Sequence, residues 1–173
     1  MTARTELVAM ADIGEDLNAA LVAMKTAVYP DPPDNDREWA PRDWGVFVWA
    51  DDTLVSYTGL LFRDAALDGD PVVIGGIGGV ATHPDHRGQG YAPLGMARAL
   101  DFMLSQRADF ALLVCRDELV PYYTSLGWHY FEGETLNTQF GEPEVFTFNR
   151  VMVGDLASKS PVSGRIDLKG PAW

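Results

Sequence analysis

The stretch Ile74 to Met103, IGGIGGVATHPDHRGQGYAPLGMARALDFM, decides how the rest of the chain reads. It begins as a Gly-laced apolar strand, Val72 to Ala81, and turns a polar corner at Thr82-His83-Pro84-Asp85-His86. A Gly-containing turn follows, Arg87-Gly88-Gln89-Gly90-Tyr91-Ala92. Beyond it, Leu94, Ala97, Leu100, Met103 and Leu104 recur at three- and four-residue spacing, which predicts a helix.

A strand that feeds a Gly-rich turn at a helix start suits an anion. The first amides of a helix lack internal acceptors and carry the positive end of its dipole. Glycine admits positive φ and lets backbone approach phosphate oxygens closely. Gly88 to Pro93 should therefore present N–H groups to a pyrophosphate; Pro93 donates none but suits a first helical turn. The GxxxxGK[ST] loop is absent, and a GxGxxG opened by Gly88 and Gly90 fails at Pro93. Arg87, Gly90 and Ala92 do satisfy Arg/Gln-x-x-Gly-x-Gly/Ala. The competing reading is a glycine turn that holds no ligand.

That register, with a strand before it and a helix after it, resembles the coenzyme A pyrophosphate loop of the GCN5-related N-acetyltransferases. The resemblance implies acetyl-coenzyme A as co-substrate and no metal. It implies a mixed α/β fold with a mostly antiparallel central sheet, helices on both faces and a splayed pair of parallel strands. Val80, Ala81 and Thr82 of the strand would then line the cofactor's pantetheine arm. Arg87, Gly88, Gln89, Gly90, Tyr91 and Ala92 would hold its diphosphate. The glycines at 75, 76, 78 and 79 weaken a strand, so they signal a bulge or a close approach by another group.

With 173 residues, one domain spanning 1–173 is expected, and 47% apolar residues argue against disorder. No apolar run reaches membrane-span length and no signal peptide is evident, so the expected setting is cytoplasmic. Cys115 is the single cysteine, which excludes an internal disulfide and a multi-Cys metal site. A buried small hydrophobe is its simplest role. His83, His86 and His129 lack metal-ligand spacing. The net charge of −12 argues against nucleic acid or an anionic membrane as partner. Surplus carboxylates suit a cationic small molecule, or serve solubility alone. A homodimer is left open.

Along the chain, residues 1–9 read as a short strand. Asp12 with Glu15 has the form of a capping box for a helix whose face is Ile13, Leu17, Leu21 and Met24. Pro30, Pro32 and Pro33 forbid helix beyond it. Asp31, Asp34, Asp36 and Glu38 crowd charge beside Tyr29 and Trp39, as a solvated loop or as the wall of an acidic pocket. Trp44–Ala50 and Leu54–Phe62 form a hairpin, and 64–71 is read as a turn. Asp109–Cys115 is wholly apolar and follows a strand and a helix, so it should run parallel to the strand before it. Trp128–Glu132 and Glu144–Val153 are expected as an antiparallel pair beside it.

Between them, Val120-Pro121-Tyr122-Tyr123 followed by Gly127-Trp128 reads as a short helix capped near Asp117 and stopped by Gly127. It resembles a V-P-F-Y-x-x-x-G-F segment of aralkylamine acetyltransferases and their relatives. By that resemblance Tyr123 protonates the departing thiolate, and Tyr122 is core. Three short features are similar to aminoglycoside 2′-N-acetyltransferases: His86-Arg87-Gly88-Gln89, Glu38-Trp39 and Gly170-Pro171-Ala172-Trp173. They imply that Glu38 and the Trp173 carboxylate meet a cationic sugar; Asp34, Asp36 and Trp39 of the acidic loop are the further substrate candidates, and the base is Glu38, the chain terminus or water. Gly78 and Pro171 stand where that group carries acidic residues. The expected function is acetyl transfer to a primary amine of a cationic small molecule, an aminoglycoside, by direct attack in a ternary complex; the alternative acceptors are polyamines, arylalkylamines or a peptide N-terminus. A non-catalytic acyl-coenzyme A sensor on the same fold is the rival from another class.

Overall fold

A computed structural model describes residues 3–31 and 35–173. The chain divides into two compact units. One comprises Met1–Asp36, Arg42–Leu60 and Gly78–Ala99, the other Arg37–Pro41, Leu61–Ile77 and Leu100–Trp173.

In the first unit, β1 (Ala3–Ala9) pairs antiparallel with β2 (Trp44–Ala50), and β2 pairs with the first part of β3 (Thr53–Leu67). The β2–β3 register shifts at Val48/Trp49, a bulge beside the tight turn at Asp51-Asp52. Helix α1 (Glu15–Val28) buries Leu21 and Met24 against Phe47, Leu54, Tyr57 and Ala81, with Ile13, Leu17 and Ala20 partly covered. This is the face the sequence predicts. Its start is not: the N-cap is Gly14, with no side-chain cap bond, and Asp12 closes a preceding 3-10 turn, Met10–Asp12. That turn puts Asp12 outside the helix, too early in the chain to cap it. The unit also holds the end of β4 (Asp70–Thr82) and most of α2 (Tyr91–Ser105).

In the second unit the remaining strands are β5 (Phe110–Cys115), β6 (His129–Tyr130), β7 (Glu134–Gln139), β8 (Glu142–Val145), β9 (Arg150–Asp155) and β10 (Arg165–Asp167). They follow the order β6-β9-β5-β4-β3-β10-β7-β8. As the apolar run predicts, β5 lies parallel to β4, with Ile74 opposite Phe110 and Ile77 opposite Leu113. β9 flanks β5 antiparallel, and β6 flanks β9. The result is the mixed, mostly antiparallel sheet that the sequence implies. Its core gathers Ile74, Phe110, Leu112, Phe131, Val153, Ile166 and Trp173, each large side chain worth roughly 1.5–3 kcal/mol of burial.

Four expectations need correction. Asp64–Leu67 is strand, not turn: β3 runs through Leu67, and only Asp68-Gly69 turn, both at positive φ. Glu144–Val153 is not one strand, since Phe146–Asn149 separate β8 from β9. On α2, Leu94 and Leu104 are exposed while Tyr91, Met96, Ala99 and Met103 are buried. Nearly every residue of that helix is apolar, so periodicity alone did not fix its inward face. Tyr122, expected in the core, is 37% exposed.

Candidate functional site

In the first unit β4 ends at Thr82, and a 3-10 turn (Pro84–His86) leads to the glycine loop. Gly88 and Gly90 have φ of +74° and +83°, the left-handed region that glycine enters without strain. A side chain at either position would meet nothing within 4 Å, so the loop stands open. The first internal bond of α2 runs from the Leu94 amide to the Gly90 carbonyl, 3.1 Å. The amides of Tyr91 and Ala92 therefore lie in the turn that has no internal acceptors. Together with the exposed Gly88, Gln89 and Gly90 they form a cradle that fits a diphosphate.

Side chains brace the strand leading into this cradle. The Tyr29 hydroxyl donates to the Val80 carbonyl at 2.8 Å, and Ser56 Oγ to that of Ala81 at 2.9 Å. Arg87 Nε donates to Thr82 O at 3.3 Å. Arg87, expected at the phosphate, also braces the corner. His83 accepts from the Asp85 amide through Nδ1, and its ring meets His86, which meets Tyr91.

The glycines of β4 each admit a neighbour. A Cβ on Gly75 would lie 2.5 Å from Met103 Sδ, and one on Gly76 2.4 Å from Trp173 Cε2. One on Gly78 would stand 3.0 Å from the Arg42 guanidinium. Gly79 is kinked at φ +65°. Arg42 escaped the sequence reading because a lone Arg before a strand carries no pattern.

The other candidates lie in the second unit, apart from Asp36, which is exposed in the first, and Asp34, which lies outside the described residues. The Glu38 carboxylate accepts from the Phe140 amide. The Glu38 backbone exchanges two bonds with Gln139, 2.9 Å and 3.0 Å. Trp39 packs edge-on against Phe146 and Phe148. The neighbouring Arg37 pairs with Glu144. Trp173 is 2% exposed and donates from its indole to Leu112 O at 3.3 Å. The two segments assigned to substrate run side by side, since the Ala40 amide bonds Ala172 O at 2.7 Å.

Tyr123 sits in α3 (Val120–Ser125), buried against Tyr122 and Trp128. Gly127, at φ +89°, closes that helix as expected, while Asp117 pairs with Arg150 rather than capping it. Burial, then the charges of Asp117 and Glu118, push the Cys115 thiol up to about 11, as befits an inert residue. Among the described residues no helix is long and apolar enough to cross a membrane, and no His/Cys/Asp/Glu group is arranged for a metal.

A family model described as an acetyltransferase (GNAT) domain matches residues 13–131. No curated protein matches the sequence significantly. Solved structures share the fold. The GNAT family N-acetyltransferase YhbS of Escherichia coli, in complex with CoA, superposes with TM-score 0.63 at 15% identity, covering 98% of this chain and 92% of its own. ElaA of Escherichia coli gives 0.62 at 19%, covering 89% and 100%. A probable N-acyltransferase from Enterococcus faecalis gives 0.60 at 17%, covering 76% of this chain and 33% of that one. The chain thus spans about a third of the enterococcal protein's length.

Proposed function

The chain belongs to the GNAT acetyltransferase domain family, and from that premise we propose that it transfers an acetyl group from acetyl-coenzyme A to a primary amine of a small molecule. The observation that carries this is the open loop Gly88–Ala92: two glycines at positive φ and the free end of α2. Such a cradle neutralises a diphosphate without a Lys or a metal.

Bound there, the co-substrate supplies an activated acyl group. This chain's own residues must then orient it, exclude water and move protons. Val80, Ala81 and Thr82 are fixed through their carbonyls by Tyr29, Ser56 and Arg87, which makes the strand rigid enough to position a thioester. Tyr123 is the proposed proton donor to sulfur. It is buried beside Tyr122 and Trp128.

An aminoglycoside is the acceptor suggested by Glu38-Trp39 and by Gly170 to Trp173. Glu38 is exposed but its carboxylate holds a backbone amide, and Trp173 is within the core. The proposal is therefore acetyl transfer to an amine, with aminoglycosides as one class to test. Thiol release is measured with aminoglycosides, polyamines, arylalkylamines and peptides. Turnover of one class, lost in Tyr123→Phe while coenzyme A still binds, supports the enzyme. Coenzyme A binding without turnover of any amine supports the sensor instead.

A further inference from the structure

In the first unit a cavity of about 350 Å³ lies between α1, the β2–β3 turn and the corner that follows β4. Ala23, Met24 and Leu54 give it apolar surface, and Trp49 an aromatic wall. Its polar groups are Asp52, Thr53 and His83. The walls are held in place. The Trp49 indole donates to the Glu6 carboxylate at 3.2 Å, and the Arg4 guanidinium lies over the ring at 4.8 Å. The His83 amide donates to the Val55 carbonyl at 2.9 Å, next to Leu54. The His83 ring accepts the Asp85 amide at Nδ1, 3.3 Å. In the neutral ring the proton is then on Nε2, which makes that nitrogen a donor.

A volume of this size is at the lower end for small-molecule sites, enough for one ring system rather than a whole cofactor. The groups around it define what kind of ring. Trp49 offers a rigid aromatic surface. Asp52 accepts from an N–H and repels a phosphate, His83 donates, and the Thr53 hydroxyl does either. A neutral heterocycle with donors and acceptors side by side on one edge, a purine base, matches that set. The cavity also lies close to the diphosphate cradle. The His83 ring is 5.6 Å from that of His86, which is 6.3 Å from that of Tyr91, the first residue of α2. In coenzyme A a single ribose separates the diphosphate from adenine. A base that turns back past His86 from Gly88–Ala92 arrives at this cavity.

We propose that the cavity is an adenine subsite: the base packs against Trp49, its exocyclic amine donates to Asp52 and a ring nitrogen accepts from His83. This rests on the acetyltransferase reading, in which the cofactor's diphosphate sits on Gly88–Ala92. It deepens that reading by giving the chain a means to recognise the nucleoside end of the cofactor as well as its phosphates.

The test is calorimetry on the full chain with coenzyme A and with its etheno-adenine analogue, in which an added ring blocks the exocyclic amine and leaves the phosphates and pantetheine unchanged. The analogue should bind about tenfold or more weakly, the equivalent of about 1.4 kcal/mol. Ala23→Leu places a good helix former at an exposed position of α1 and fills the cavity. It should lower coenzyme A affinity by about tenfold or more. Asp52→Ala, in the exposed β2–β3 turn, should bring the two nucleotides to within about threefold of each other by weakening coenzyme A, and supplies the test if Ala23→Leu does not fold. Equal affinity of the wild type for both nucleotides, or wild-type coenzyme A affinity in Ala23→Leu, would overturn the proposal and leave the diphosphate cradle standing. A wild type that binds neither nucleotide would overturn the acetyltransferase reading and this proposal together.

Discussion

Trp173 lays its indole on Gly76: a Cβ at residue 76 would come within 2.4 Å of Cε2 and 2.7 Å of both Cζ2 and Nε1. Strand β4 is thinned there so that a bulky ring can share the core with Ile74 and Leu112. Gly76→Ala should therefore destabilise the protein by about 1–3 kcal/mol through overpacking. Trp173→Ala should cost about 3–5 kcal/mol. In the double variant the added methyl has room, so the two costs should fall short of additive by more than about 0.5 kcal/mol. Urea denaturation of the four proteins measures this. Simple additivity would show that ring and glycine are not in contact.

The loop glycines have a different reason to exist. Nothing surrounds a Cβ at Gly88 or Gly90, so substitution costs only the left-handed backbone, about 1–2 kcal/mol each. To avoid that strain, an alanine would rotate the very amides proposed to hold the diphosphate. Gly88→Ala and Gly90→Ala should lower coenzyme A affinity about tenfold or more, read by calorimetry. The fold itself should survive with a modestly reduced melting temperature. Wild-type affinity in both variants would mean the diphosphate binds elsewhere.

Strand β2, the parallel β4–β5 pair and the glycine loop were legible because each has a strong local signature. β5 is an unbroken apolar run, and Gly88 and Gly90 sit where a turn must reverse hand. What escaped was written in tertiary terms. β7 reads ETLNTQ, whose inward face is Thr135, Asn137 and Gln139, so polarity hid a buried strand. Asn137 and Gln139 are accepted inside because they bond Glu144, Glu38 and each other. β10 is three residues long and exists through its partners β3 and β7. Arg42 acquires meaning only where Gly59 and Gly78 come together beneath it.

Glu38 separates a structural carboxylate from a catalytic one. It accepts from the Phe140 amide, while Gln139 brackets its backbone. If that is its whole role, Glu38→Gln should leave kcat within about threefold, since an amide oxygen still accepts the bond. Glu38→Ala should mainly raise KM for the amine by loosening the 37–41 segment. A general base would behave otherwise: both variants would lose roughly 100-fold or more in kcat, along with the acidic limb of the pH–rate profile. Steady-state kinetics across pH distinguishes the two.

Cys115 closes β5 opposite Arg150 of β9, 5% exposed. Its pKa of about 11 has two sources, burial and then the neighbouring Asp117 and Glu118 charges. Both act in one direction, disfavouring the thiolate, so the group is neutral through the physiological range. At pH 8 only about one thiol in a thousand is ionised, against about one in ten for an ordinary thiol titrating at 9.0. Alkylation of the native protein should be slow at pH 7–8 and quicken about tenfold per pH unit through pH 10, with no plateau before about pH 11. Cys115→Ala should retain acetyl transfer. Rapid stoichiometric labelling near neutrality, levelling off below pH 9, would instead mark an activated thiol and a route through an acyl-enzyme.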